Sequence, residues 1–274
     1  MRRRALLAIG VLLAGLVTGP AARADGPLEY VALGDSSAAG LLILPQIDLA
    51  CLRSSVNYPH IAAQQFGAQL TDVFGCGDPG LQRETVRLRA PQYDALSPTT
   101  DLVTVAITGN DTGLVSAALS CINLLPPPAG TSCKARFTAG GTDQLAARIA
   151  ATAAPFGQAL DRIRELAPNA RILVTGYGTY VRPNGCYPLI PVWPVDANYL
   201  QATIDRLNAM LAAQSAAHGA QYVDLRTPSI GHDACAPVSQ RWLEGLVPSS
   251  VAAPLHPSAR GMAAFGQIVA AAAG

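Results

Sequence analysis

The chain has 274 residues, 14% of them charged, with 19 basic residues against 18 acidic ones. That balance carries no basic footprint and excludes nucleic acid as a partner. The length suits one α/β domain with a large core.

The first residues read as an export signal: Arg2-Arg3-Arg4, an apolar run from Ala5 to Val17 too short to span a bilayer with ease, and the small-x-small site Ala22-Arg23-Ala24. Cleavage after Ala24 divides the chain into a signal peptide, 1–24, and one domain, 25–274. The remaining 250 residues keep 15 basic and 18 acidic side chains, a formal charge of −3. No later segment reads as a membrane span. The expectation is a secreted protein, extracellular or held in the cell envelope, and a monomer.

Five apolar, β-rich runs follow, at 28–33, 68–74, 101–107, 171–176 and 221–225. Helical patterns fall between or after them. Residues 58–66 follow Asn57 as a cap, with Pro59 in the first turn. Residues 142–167 form a longer helix that Pro155 should kink or split. Residues 197–218 end at Gly219, and 258–273 close the chain. Alternating strands and helices predict a parallel sheet covered on both faces, a three-layer α/β/α domain with about five strands and a flavodoxin-like order. Three irregular stretches, 41–52, 122–132 and 177–196, each include or abut a cysteine and are candidates to shape a cleft. The first is apolar, and the last carries Tyr177, Tyr180, Tyr187 and Trp193.

The six cysteines are Cys51, Cys76, Cys121, Cys133, Cys186 and Cys235. Export plus an even count predicts three disulfides, with 15 pairings open. No Cys-x-x-Cys pair is present, so neither a metal site nor a cofactor is expected.

In Val31-Ala32-Leu33-Gly34-Asp35-Ser36, a strand-like run ends at a glycine two residues before a serine. Strand, tight turn and helix start place Ser36 at the carboxyl end of a strand, where open α/β sheets locate their chemistry. A serine nucleophile needs a base, and His60, His218, His232 and His256 are the candidates. His256 stands between Pro254-Leu255 and Pro257, just before the last helix, where flanking prolines stiffen it. Gly109-Asn110-Asp111 follows the third strand, and an asparagine there can aim its amide at developing negative charge. The same tripeptide also suits an ordinary turn.

Gly-Asp-Ser after the first strand, Gly-Asn-Asp after the third and a histidine before the last helix stand in the order of blocks I, III and V of the SGNH (GDSL-type) hydrolases. The chain resembles that family over the whole mature sequence, and Gly34-Asp35-Ser36-Ser37-Ala38-Ala39-Gly40 matches its GDSxxxG. The cysteine layout is similar to the secreted actinobacterial lipase and esterase branch. That resemblance implies Cys51–Cys76, Cys121–Cys133 and Cys186–Cys235, closing loops of 25, 12 and 49 residues. It also implies an ester hydrolase with Ser36 as nucleophile and His256 as base, and an oxyanion hole of the Ser36 N–H, Asn110 and a block II glycine. Block II is blurred. Phe74-Gly75-Cys76-Gly77-Asp78 aligns by its cysteine to put Asp78 where glycine is expected, so a one-residue shift makes Gly77 the donor. The family often supplies Asp three residues before the histidine, but Ala253 occupies that position. A Ser-His dyad follows, with the carbonyl of Pro254 or Ala253 fixing the imidazole. The substrate expected is a lipid or small ester, with residues 41–49 and the loop near Trp193 as the acyl cleft. Two other readings share the pattern: a carbohydrate deacetylase or acyltransferase, and a catalytically degenerate binding or envelope protein.

Overall fold

A computed structural model of the chain describes residues 26–74 and 90–274. The expected signal peptide, and Cys76 and Gly77 of block II, lie outside the described residues.

Strand β1 (Glu29–Gly34) runs into a single helical turn, α1 (Ser36–Ala39). A short hairpin of β2 (Gln46–Asp48) and β3 (Arg53–Ser54) precedes α2 (Tyr58–Phe66) and β4 (Gln69–Phe74). Asn57 caps α2 by accepting the His60 N–H at 3.0 Å, which satisfies one of the orphan donors of its first turn. Next come α3 (Ala90–Asp94), β5 (Leu102–Ala106), α4 (Gly109–Thr112), α5 (Leu114–Ser120) and α6 (Cys133–Phe137). The second half contains α7 (Gln144–Leu166), β6 (Arg171–Thr175), α8 (Pro194–Ala217), β7 (Gln221–Val223) and α9 (Ala259–Ala273).

The five-stranded sheet is parallel throughout, in the order β4-β1-β5-β6-β7. Chain direction across the sheet reverses at β1, so the crevice between the ends of β1 and β5 is the topological switch point. Both faces are buried, as the continuous apolar strands require. Tyr30 and Ala32 face α2 and α9, packing with Met262, Phe265 and Val269. Val31 and Leu33 face α7 and α8, packing with Phe156, Leu160, Leu207 and Leu211. This is the single three-layer α/β/α domain that the alternation predicts.

Two details differ from the sequence expectation. Pro155 does not split α7, which runs unbroken for 23 residues. Phe156, Leu160 and Ile163 beyond the proline are fully buried, and that burial outweighs the one hydrogen bond a proline removes. Helix α8 begins at Pro194 rather than 197, using the proline at its first turn, where the missing N–H costs nothing. Disulfides join Cys121 to Cys133 and Cys186 to Cys235. Cys51 is also bridged.

Candidate active site

Gly34 is required where β1 ends. A Cβ there would meet the Ala106 carbonyl oxygen of β5 at 2.6 Å. The Asp35 N–H donates to that same carbonyl at 2.9 Å. The Gln92 side-chain amide pairs with Gly34 in both directions, accepting its N–H at 2.9 Å and donating to its carbonyl at 3.1 Å. The strand end is thereby pinned from both sides. Asp35 caps α1, accepting the Ser37 N–H at 2.9 Å and the Ser37 hydroxyl at 2.6 Å. Ser36 is left as the first helical residue, facing the switch-point crevice.

His256 comes to the same place from the other end of the chain. Its Nε2 lies 2.8 Å from Ser36 Oγ, and its Nδ1 lies 2.8 Å from the Pro254 carbonyl oxygen. A carbonyl can only accept, so Nδ1 carries the proton and Nε2 presents a lone pair to the serine. Leu255, between them, adopts φ +60°, a left-handed conformation that turns the Pro254 carbonyl toward the ring. The strain of a leucine there is on the order of 1–2 kcal/mol. The surrounding loop holds it. Leu255 N–H donates to the Gly245 carbonyl at 3.1 Å, and Glu244 N–H to the His256 carbonyl at 2.9 Å. The buried Glu244 carboxylate accepts from the Ser249 N–H at 2.8 Å, the Ser249 hydroxyl at 2.9 Å and the Ser250 hydroxyl at 2.6 Å. Burial lowers the His256 pKa below the ordinary histidine range, with the Pro254 hydrogen bond opposing. The neutral, proton-accepting form is favoured.

The other three histidines are engaged elsewhere. His60 Nδ1 lies 2.9 Å from Asn57 Oδ1. His218 Nδ1 lies 2.7 Å from Asp161 Oδ1. His232 stacks on Trp242 with ring centroids 4.1 Å apart.

Asn110 sits in the first turn of α4, directly after β5. Thr108 before it has φ +102°, an uncommon conformation for a β-branched residue. The buried Tyr177 hydroxyl accepts the Gly109 N–H at 2.7 Å and lies 3.5 Å from Asp35 Oδ2. A Cβ on Gly109 would come within 2.9 Å of that hydroxyl. Tyr177 is fixed in turn by Asn208 of α8, which accepts its N–H at 2.7 Å and donates to its carbonyl at 2.8 Å. Burial pushes the Asp35 carboxyl up to about 6, against the pull of the Ser37 hydrogen bonds.

A pocket opens beside Ser36, Asn110 and His256 with largely aliphatic walls, among them Leu114 and Val115 of α5, Ile190 and Val192, and Leu200 and Ile204 of α8. Residues 41–49 do not line it. Leu41 and Ile43 point into the core, while Leu44 and Leu49 face solvent. Trp193 is buried behind the wall, donating its indole N–H to the Leu125 carbonyl at 2.8 Å. The loop near it contributes Ile190 and Val192 instead. Among the described residues no group of three or more His, Cys, Asp or Glu is placed to hold a metal ion, and no helix is long and apolar enough to cross a membrane.

A serine hydroxyl against a neutral imidazole, under a loop carrying an amide and beside an apolar pocket, can support acyl transfer. The model of the GDSL-like lipase/acylhydrolase family matches residues 32–264. The chain belongs to that family. It is therefore a carboxylic ester hydrolase. It is 38% identical over 270 residues to Lipase 2 of Streptomyces coelicolor, covering 93% of this chain and 90% of that protein. The solved extracellular lipase of Streptomyces rimosus superposes with a TM-score of 0.73 at 26% identity, covering 90% of this chain and 99% of that one. The phospholipase A1 of Streptomyces albidoflavus shares the fold, with a TM-score of 0.72 at 23% identity, over 90% and 99% of the two chains.

Proposed function

We propose that the protein is a secreted hydrolase of aliphatic carboxylic esters that works through a Ser36–His256 dyad. The observation that carries this reading is the pair of contacts at His256, Nε2 to Ser36 Oγ at 2.8 Å and Nδ1 to the Pro254 carbonyl at 2.8 Å. In the first half-reaction Ser36 Oγ attacks the acyl carbonyl carbon, and its proton passes to Nε2. The carbonyl oxygen becomes an oxyanion held by the Ser36 N–H and the Asn110 amide. Such a donor is worth about 3–4 kcal/mol in the transition state. Collapse expels the alkoxide, which takes the proton from Nε2, and leaves Ser36 acylated. Water then attacks, giving its proton to Nε2. The second tetrahedral species releases the acid and returns the proton to Ser36.

The aliphatic walls beside the dyad favour a fatty acyl chain over a sugar-linked acetyl group, which would call for polar contacts. Secretion rests on the leader-like residues 1–24 and on the disulfides, which persist in oxidising compartments. Hydrolysis of p-nitrophenyl esters by wild type and Ser36→Ala tests the reading. Activity in the first and none in the second, with equal thermal stability, is the expected result. Equal activity in both would overturn it.

A further inference from the structure

The apolar pocket is flanked by two exposed segments that hold no charged residue of their own, with Arg136 at their margin, its guanidinium donating to the Ser120 carbonyl. No Asp, Glu, Lys or Arg occurs in residues 114–133 or 185–195. On this face Leu124 is 78% exposed, Leu125 59% and Leu189 72%. Single exposed apolar side chains are ordinary, but a grouped set leading into a binding pocket is not.

The two segments are joined. Ile122 pairs with Val192 in an isolated antiparallel bridge. The Asn123 N–H donates to the Pro191 carbonyl at 2.6 Å, and the Tyr187 hydroxyl to the Leu124 carbonyl at 3.3 Å. Cys121–Cys133 closes one segment, and Cys186–Cys235 anchors the other. Continuity with the pocket is direct. Val192 lines it, and Val115 both lines it and is 40% exposed. The leucines are therefore presented by a braced scaffold, and little ordering entropy is lost on docking.

We propose that this face is the surface by which the enzyme lies on an uncharged or zwitterionic lipid surface, with the pocket mouth opening directly onto the acyl chains. The proposal rests on the esterase reading of the pocket. Two segments without a charged residue, bordered by the single cation of Arg136 bonded at Ser120, fit insertion of side chains among acyl chains and headgroups rather than attraction to anionic lipid, which calls for a cluster of basic residues. A second copy seated on the same face would cover the mouth and block substrate entry, which argues against a dimer contact.

The test is partition of the full secreted protein onto vesicles of ether-linked phosphatidylcholine, which an ester hydrolase cannot degrade. It compares wild type with the triple variant Leu124→Ser, Leu125→Ser, Leu189→Ser, none of which lines the pocket. The expected result is partition at least tenfold weaker for the variant, with kcat/KM on monomeric p-nitrophenyl butyrate unchanged within twofold and both proteins monomeric by light scattering. Equal partition of the two proteins overturns the proposal. So does a wild-type dimer that the variant abolishes, which would assign the face to a second copy. If neither protein hydrolyses p-nitrophenyl butyrate, the esterase reading fails while the partition ratio still decides the surface.

Discussion

The Pro254 carbonyl accepts the His256 Nδ1 proton at 2.8 Å, so the imidazole is oriented by a neutral oxygen rather than a carboxylate. A neutral acceptor fixes the tautomer but stabilises imidazolium less than a charged partner would. Burial lowers the pKa further. The catalytic base must be neutral to work. Activity is therefore expected to rise through one ionisation below the reference histidine value of about 6.5 and to hold into alkaline pH. A kcat/KM profile on a non-ionising ester reads this directly. A midpoint clearly above that reference would show a carboxylate acting on the ring.

Asp35 should make itself felt in stability rather than in that profile. Its folded pKa is about 6, above the unfolded value near 4. The native state thus binds more protons between those values. Stability contributed by Asp35 is fully present below about pH 4 and is lost as pH rises through 6. Asn at this position keeps an acceptor for Ser37 without the buried charge. Asp35→Asn should gain about 2–3 kcal/mol over wild type between pH 4 and pH 8 in denaturant unfolding. A difference that stays constant with pH would contradict the assignment.

Tyr177 and Gly109 line the pocket beside Ser36 and should govern turnover through the loop that carries Asn110. Tyr177→Phe removes the acceptor of the Gly109 N–H, and an unsatisfied buried donor costs about 1–3 kcal/mol. The loop carrying Asn110 would then relax from its strained geometry at Thr108. We expect kcat to fall at least tenfold with KM little changed. Gly109→Ala, which drives a methyl against the Tyr177 hydroxyl, should do the same. Wild-type kcat in both variants would remove the loop from the mechanism.

Much of this site was legible because its parts are local in sequence. Gly34-Asp35-Ser36 announces a strand ending in a turn, and the prolines around His256 mark a stiff approach to the last helix. The braces were not legible. Gln92 reaches Gly34 across 58 residues and Asn208 reaches Tyr177 across 31. A buried amide on a helix looks like any other until the partner backbone is in place. Residues 41–49 lie outside the acyl wall for a related reason, whereas the loop near Trp193 supplies Ile190 and Val192 to it. The apolar run at 41–49 has no periodicity to say which side chains enter the core. Its alternation is set by the turn after Gly40, which adopts φ +70°. At Pro155 the local rule that a proline can split a helix yields to burial on both sides of it.

The two described disulfides should contribute unequally. In the chain-entropy account a bridge separated by 49 residues is worth about 4 kcal/mol, and one separated by 12 about 3 kcal/mol. The pair Cys186→Ser, Cys235→Ser should lose more stability in urea than Cys121→Ser, Cys133→Ser. It should also weaken the loop that supplies Ile190 and Val192. The reverse order would show that native-state packing, not loop closure, dominates.

The most direct test of the Ser36–His256 dyad is covalent. Wild type, Ser36→Ala and His256→Ala are each exposed to a fluorophosphonate and their intact masses measured, followed by peptide mapping. The dyad predicts one adduct per wild-type chain, located on Ser36, none on Ser36→Ala, and labelling slowed by orders of magnitude in His256→Ala. Labelling of Ser36→Ala at wild-type rate, or a His256→Ala protein that reacts as fast as wild type, would contradict it.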